Sequence, residues 1–252
     1  MERIKEIAAQ FEPVSLEEAA AVKLMNRIDC KYWFPFQKLE GLLQQLQDEY
    51  YILEIDGERL MEYRNDYFDT EDDVFYLKHH NMRVNRHKVR YREYIVNQKS
   101  FLEVKLKTPK KRVIKTRLES ENSNTGFFQP EVDFLEGSLP LSSEELTKKL
   151  HVRYTRMTLI NKKMQDRCTI DIVPEFRNEL GKKTIPGLVI FELKRSRNLK
   201  LSPLQNVLRS MQIRQRGLSK YCTGRALLDD TLKQNRFKRK LLFLERKLTN
   251  QE

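Results

Sequence analysis

Through much of this chain polar and apolar residues exchange places at every second position, and one side of that alternation is heavily cationic. Lys88, Arg90, Arg92 and Tyr94 stand two apart, as do Phe101, Glu103, Lys105 and Lys107, then Arg167, Thr169 and Asp171, and then Glu192 and Lys194. Val104 and Leu106 intervene in the second set, Cys168, Ile170 and Ile172 in the third, and Val189, Phe191 and Leu193 in the last. A period of two sends successive side chains to opposite faces of a sheet, so each strand carries one charged and one apolar face. Strand-like runs cover Leu60–Phe68, Arg86–Val96, Phe101–Thr108, Val113–Glu119, Arg153–Asn161, Arg167–Val173 and Gly187–Arg195; with Asp29–Phe34 they number about eight. Asn97-Gln98-Lys99-Ser100 and Pro109-Lys110-Lys111 are breaks of hairpin length, and the short connections make the strands mostly antiparallel.

An antiparallel sheet ordinarily turns its charged face to water, where signs mix and pair across strands. These strands are heavily cationic, with only a few isolated acids. From Lys78 to Arg117 fourteen Lys and Arg face only Glu93 and Glu103, which equals the whole net charge of +12 carried by the 252 residues. Arginine is prominent beside lysine, and its planar fork suits bidentate phosphate contacts. Closing about eight strands on themselves removes the edges and forces one face inward. The expected fold is therefore α+β: an eight-stranded antiparallel β-barrel with helices packed outside and cationic faces lining a bore. A basic bore fits a polyanion. Nucleic acid is the weaker candidate, because no strand carries stacking aromatics in the RNP pattern and no helix-turn-helix pattern is recognised.

Helices frame these strands. Ser15-Leu16-Glu17-Glu18 reads as a capping box opening a helix into Ala19–Leu24, and Phe36, Leu39, Leu42, Leu43 and Leu46 give a second helix ending near Tyr50. Glu121–Pro140 reads as a connecting loop, and Ser142-Ser143-Glu144-Glu145 caps a short helix through Leu150. Ser202-Pro203 starts another helix, Ser219 caps the next, and Leu232–Leu248 is basic and amphipathic. The chain is expected to form one domain over 1–252, with a barrel core at about 27–228 and a C-terminal helix at about 230–250. No apolar run approaches the roughly 18 residues of a membrane span, and Met1–Gln10 lacks the apolar stretch of a secretory signal. Cys30, Cys168 and Cys222 are odd in number and far apart, which fits a reducing cytoplasmic location.

The order of short motifs narrows the expectation further. Arg27-Ile28-Asp29-Cys30-Lys31-Tyr32-Trp33, Tyr67-Phe68-Asp69-Thr70, Arg90-Tyr91-Arg92, Phe101-Leu102-Glu103-Val104-Lys105 and Ser219-Lys220-Tyr221 follow one another as they do in VTC domains. The chain resembles these vacuolar transporter chaperone-type polyphosphate polymerase domains of the triphosphate tunnel metalloenzyme (CYTH-like) superfamily, from about Arg27 to Leu228. His79-His80-Asn81, with Arg83 and Arg86 after it, looks like the bacterial branch. The resemblance implies an eight-stranded antiparallel tunnel that makes polyphosphate from the γ-phosphate of ATP, assisted by Mn²⁺ or Mg²⁺. An SPX-type domain and membrane spans, which accompany the eukaryotic members, are not seen here.

Residue by residue, the resemblance places Arg27 and Lys31 on the first tunnel strand, Arg90 and Arg92 on the RxR strand and Lys105 on the ExK strand. Tyr154 and Arg156 match a YxR element, and Arg167 opens the following strand. Glu192 matches the metal-binding glutamate, with Lys194 two residues on. Ser219 and Lys220 match a pair that closes over phosphate at a helix start. Arg83 stands for the remaining tunnel arginine, with Arg86 as the alternative. Glu103 is either a second metal ligand or, in the preferred reading, a carboxylate pairing with tunnel arginines, since buried charge must be compensated.

Plainer readings stand beside these. Glu192 and Lys194 fit an exposed cross-strand pair, Ser219 fits an N-cap, and Asp171 fits an ion-pair partner for Arg167. His79 and His80 read as surface residues of a polar turn. Gly181-Lys182-Lys183-Thr184 is not a P-loop, because Phe176 stands where its first glycine is required. The basic C-terminal helix reads as packed on the barrel with its charged face in water. Expected ligands are ATP and polyphosphate, and a membrane-protein partner is not legible in the sequence.

Overall fold

A computed structural model describes residues 1–21, 27–110, 112–120, 126–197 and 201–248. In chain order the elements are α1 (Glu2–Ala9), β1 (Pro13–Val14), α2 (Leu16–Ala21), β2 (Arg27–Pro35), α3 (Leu39–Gln44), β3 (Tyr50–Leu53), β4 (Met61–Asp69) and α4 (Val74–His80). Then come β5 (Arg86–Tyr94), β6 (Lys99–Lys107), β7 (Val113–Glu119), α5 (Gln129–Glu136), β8 (Thr147–Asn161), β9 (Asp166–Asn178), β10 (Gly181–Thr184), β11 (Leu188–Ser196), α6 (Pro203–Ser210), α7 (Lys220–Leu228) and α8 (Lys238–Leu248).

Eight strands form one antiparallel path, β2-β11-β9-β8-β4-β5-β6-β7, curled as a half-barrel with the helices around it. The expected α+β, eight-stranded antiparallel architecture is therefore present. The two end strands, β2 and β7, share no ladder among the described residues. Register confirms the inner face, because directly opposed residues share a side. Lys31 stands opposite Glu192, which stands opposite Thr169. Tyr67 opposes Arg90, which opposes Glu103, which opposes Arg117.

The outer faces are apolar and covered. Cys30, Phe34, Cys168, Ile170, Phe191 and Leu193 pack beneath Ile4 and Ile7 of α1, Leu39, Leu42 and Leu43 of α3, and Leu204 and Leu208 of α6. Val89, Tyr91, Leu102 and Val104 pack beneath Phe75 of α4 and Leu135 of α5. Part of the inner face is apolar too: Trp33, Ile190, Leu150 and Phe176 meet Tyr221, Cys222, Ala226 and Leu227 of α7. α7 lies so close that a Cβ on Gly224 would come within 2.4 Å of Phe176 Cδ1 and 2.7 Å of Leu150 Cδ2. Only glycine admits that approach.

Several local expectations are corrected. The helix from Phe36 stops at Gln44, and Tyr50 instead begins β3, paired with Asn161 of β8. Glu121–Pro140 contains α5; its residues 121–125 lie outside the described residues. The Ser142 capping box is real, with Ser142 Oγ accepting from Glu144 N, but it opens only a 3-10 turn at Ser143–Glu145. Thr147–Leu150 belong to β8 because β4 offers them a partner, Leu150 opposing Tyr67. Such tertiary pairing overrides local propensity. His79 and His80 sit on α4, not in a surface turn: His80 is buried, and its Nε2 accepts from Arg236 N. Ser15 does cap α2, but the stretch of that helix from residue 22 to Leu24 lies outside the described residues, as does Lys111. Gly181–Thr184 is a hairpin strand against β9. Among the described residues no helix is long and apolar enough to cross a membrane.

One buried acid carries a stability prediction. Asp166, at the start of β9, is fully buried and accepts a hydrogen bond from Tyr50 Oη at 2.9 Å, tying β3 to the sheet. Burial lifts its carboxyl from 3.8 to about 6. The folded chain holds this proton more tightly than the unfolded one, so the favourable contribution is complete below pH 3.8 and is lost as pH rises through about 6. Above that, the ionised group costs about 3 kcal/mol. Asp166→Asn should raise the urea midpoint near neutral pH and leave it little changed near pH 4, and parent-like stability at neutral pH would contradict this.

Candidate active site

The inner face gathers the cations that the alternation predicts and adds acids that order them. Arg90 Nε and Nη2 donate to Glu103 Oε2 at 2.9 and 2.6 Å, and Arg90 Nη1 donates to Tyr67 Oη at 3.1 Å. Lys115, from β7, reaches the other Glu103 oxygen at 2.5 Å. Glu103 is thus fully buried with both oxygens engaged by cations. Burial pushes this carboxyl upward, but Arg90, Arg92, Lys115 and Lys105 outweigh it and hold it well below the usual range.

Across the bore, Arg156 grips Asp171 with Nε at 2.5 Å and Nη2 at 2.8 Å, and Lys220 Nζ donates to the same carboxylate. Asp171 therefore partners Arg156 and Lys220 and not Arg167, because β8 and β9 put Arg156 directly opposite it. Arg92 donates to Asn65 Oδ1 at 3.0 Å and to Tyr154 Oη at 3.1 Å, and lies over the Tyr63 ring. Arg156 lies over the Tyr63 and Tyr154 rings, and Lys220 over that of Tyr154. These guanidinium groups are held by several partners each, so their forks are oriented before any ligand arrives.

α7 delivers Ser219 and Lys220 to the same wall. Ser219 Oγ accepts from Cys222 N, making it the N-cap, and also accepts from Lys88 Nζ at 2.8 Å. Capping and a place in the bore are thus compatible, and a helix start adds N–H groups that favour an anion. The Tyr67-Phe68-Asp69-Thr70 motif holds this helix in position. Buried Asp69 accepts from the backbone N–H of Thr70, Phe75 and Tyr76, each at 2.8 Å, and from Tyr221 Oη at 2.5 Å. Arg225 closes the joint on Asp73.

Glu192 faces the bore from β11, with Lys31 Nζ 3.4 Å away and a quarter of its side chain exposed. Burial pushes its carboxyl up, yet Lys31, Lys194, Arg156 and Lys105 together bring it down to about 2. It is an ionised, accessible carboxylate among cations. Arg27 pairs with Asp29 at 3.2 Å and is exposed at the end of β2, whereas Arg167 and Lys194 stand opposite each other further along. Arg83 is exposed in the turn before β5, and Arg86, its alternative, occupies the bore-facing register opposite Lys107.

The remaining cations crowd one another. Arg90 first and then burial lower Lys105 to about 5; burial lowers Lys88 to about 8, with Lys31, Arg86 and Arg90 adding to it. Burial and Arg167 similarly bring Lys194 to about 8. Lys88 and Lys115 are absent from the residues assigned by resemblance. Lys88 stood in the plain alternation, but Lys115 lay in a strand whose residues are exposed on both faces, where alternation carries no signal.

The donor set also bears on metal. Among the described residues no group of three or more His, Cys, Asp or Glu is placed to hold an ion alone. One ionised carboxylate facing a cationic bore fits instead a hard divalent cation that keeps most of its sites for phosphate and water, the usual habit of Mg²⁺.

A family model described as VTC domain matches residues 26–229. The solved structure of a candidate adenylate cyclase from Bacillus halodurans superposes with a TM-score of 0.51 at 17% identity, covering 77% of this chain and 94% of that one. A candidate adenylyl cyclase from Hippeastrum, described as revealing a dominant triphosphatase activity, gives 0.48 at 15% identity, covering 79% and 95%. A Pyrococcus horikoshii protein gives 0.43 at 14% identity, covering 77% and 94%. No curated protein matches the chain. The Bacillus halodurans likeness establishes a shared fold.

Proposed function

We propose that this chain, which belongs to the VTC domain family, transfers the terminal phosphoryl group of ATP to a growing polyphosphate chain within its bore. The family and the fold support a tunnel-fold enzyme that handles phosphates with a divalent metal. The finer reading rests on one observation above all: Glu192 is an ionised carboxylate with a quarter of its side chain exposed, whereas Glu103 and Asp171 on the same face are buried and held by cations. Binding a polyanion gains nothing from such a group, whereas metal-assisted transfer needs one.

In this reading Arg90, Arg92, Arg156, Lys105 and Lys220 hold the phosphate oxygens, with Lys31, Lys88, Lys194, Arg27, Arg167, Tyr154 and Ser219 extending the track. A terminal oxygen of the acceptor chain forms a bond to the γ-phosphorus as the bond to the β,γ-bridging oxygen breaks, and ADP leaves. The attacking oxygen is already anionic, so no general base is required. Mn²⁺ or Mg²⁺ held at Glu192 would neutralise charge on the transferring group. Purified protein incubated with ATP and Mn²⁺ should give a ladder of phosphate chains on a gel. Free phosphate alone would reassign the site to triphosphate hydrolysis, and tight binding without turnover would leave a binding module.

The crowded lysines give an independent check. At neutral pH Lys105 has largely lost its proton to the repulsion around it. An entering phosphate chain reverses that repulsion and raises the lysine again, so binding takes up protons and weakens as pH rises above about 8, where Lys88 and Lys194 lose theirs. Calorimetry of tripolyphosphate binding near pH 7, run in two buffers of different ionisation heat, should show uptake of about one proton. Zero uptake would remove Lys105 from contact with the ligand.

A further inference from the structure

Outside the bore, at one end of the sheet, large apolar side chains stand in water among cations. Met82 and Val84, in the turn from α4 to β5, are 70% and 51% exposed; Val113 and Ile114, at the start of β7, are 62% and 52% exposed. The two connections leave the sheet at the same end, since Lys107 stands opposite both Arg86 and Val113. Two strand spacings separate them, about 10 Å. Arg83, Lys110 and Arg112 are exposed in the same turns, and neither residues 81–92 nor residues 104–118 include an acid. The start of α8 adjoins, through Arg236 N donating to His80 Nε2, and brings exposed Arg236, Lys238 and Arg239. Acids also stand at that end: Glu71, Asp72 and Asp73 follow β4, and Glu144 and Glu145 precede β8, whose Thr147 opposes Asp69; Lys149 pairs with Glu71 and Arg225 with Asp73.

We propose that this rim docks on an anionic phospholipid surface. Cations alone would serve a phosphate chain or a nucleic acid equally well, but neither gains from burying methionine, valine and isoleucine. A bilayer interface rewards both, apolar side chains entering the headgroup boundary while Lys and Arg meet the lipid anions. Pairing of β7 with a second β7 is disfavoured by the same charges. An antiparallel copy centred on Thr116 would set Lys115 against Arg117 on each side, and like charges directly opposed destabilise a ladder. The docked end is a mouth of the bore, so the surface would lie against the opening rather than across the helices outside.

The test floats the full-length protein with phosphatidylcholine vesicles, with and without about a third phosphatidylserine, in the presence of saturating tripolyphosphate to fill the bore. Binding is expected to the anionic vesicles only. The combined variant Met82→Ser, Val84→Ser, Val113→Ser and Ile114→Ser, which keeps every charge, should bind about tenfold more weakly. Lys110→Glu with Arg112→Glu should lose a similar factor, and either variant can be checked for parental thermal unfolding. No flotation with anionic vesicles, parent-like binding by the serine variant, or binding abolished by tripolyphosphate at matched ionic strength would each overturn the proposal. The last result would assign the vesicle contact to the bore itself.

Discussion

Glu192→Gln should lower turnover with ATP and Mn²⁺ by about a thousandfold while tripolyphosphate affinity stays within about twofold of the parent. The substitution keeps size and leaves Lys31, 3.4 Å away, with a polar neighbour, so the wall survives. What it removes is the one charge that cations around it cannot supply. A loss of several kcal/mol of charge stabilisation in the transferring group accounts for that factor. Because Lys31, Lys194 and Arg156 keep the carboxylate ionised down to about pH 2, the parent's activity should show no acid limb from this group across the neutral range. Equal losses in turnover and affinity would make Glu192 part of the phosphate track's architecture and remove its metal role.

Glu103→Gln should lower the melting temperature by about 10 °C in the absence of ligand, with most of the loss recovered on adding tripolyphosphate. Removing one partner of a buried ion pair costs about 3–5 kcal/mol, and each kcal/mol shifts a chain of this size by about 2–4 °C. Here the orphaned partners are Arg90 and Lys115, with Arg92 and Lys105 close enough to hold the carboxyl down. A phosphate chain brings negative charge to the same cations, so ligand should compensate the variant more than it stabilises the parent. The sign of the pH dependence follows from the depressed carboxyl: its contribution is present above its ordinary 4.5 and is lost only as pH falls below that. An unchanged melting temperature, or a loss that ligand does not touch, would mean that Glu103 does not balance the bore.

Much of this architecture is legible without coordinates because it is local. Whether Arg90 and Arg92 share a side, with Val89 and Tyr91 on the other, is settled by the geometry of consecutive residues in an extended chain. The Ser202-Pro203 and Ser219 helix starts are likewise written in neighbouring residues, and both occur as expected. Local pattern gives way where distant partners decide. Thr147–Leu150 follow a sound capping box but join β8, since β4 lies alongside them. Tyr50 ends a helical pattern but is claimed by Asn161.

The site divides in the same way. Sequence alone determined which side chains can face inward and that they are mostly cations, because side-chain period is a property of the strand itself. Only the tertiary structure decided which acid meets which cation, since that depends on strand order. Asp171 lies beside Arg156 because β9 adjoins β8, and Lys220 reaches it because Asp69 and Asp73 anchor α7 on the inner face. Strand order also decided that Lys115, on an edge strand without a buried face, completes the cage around Glu103.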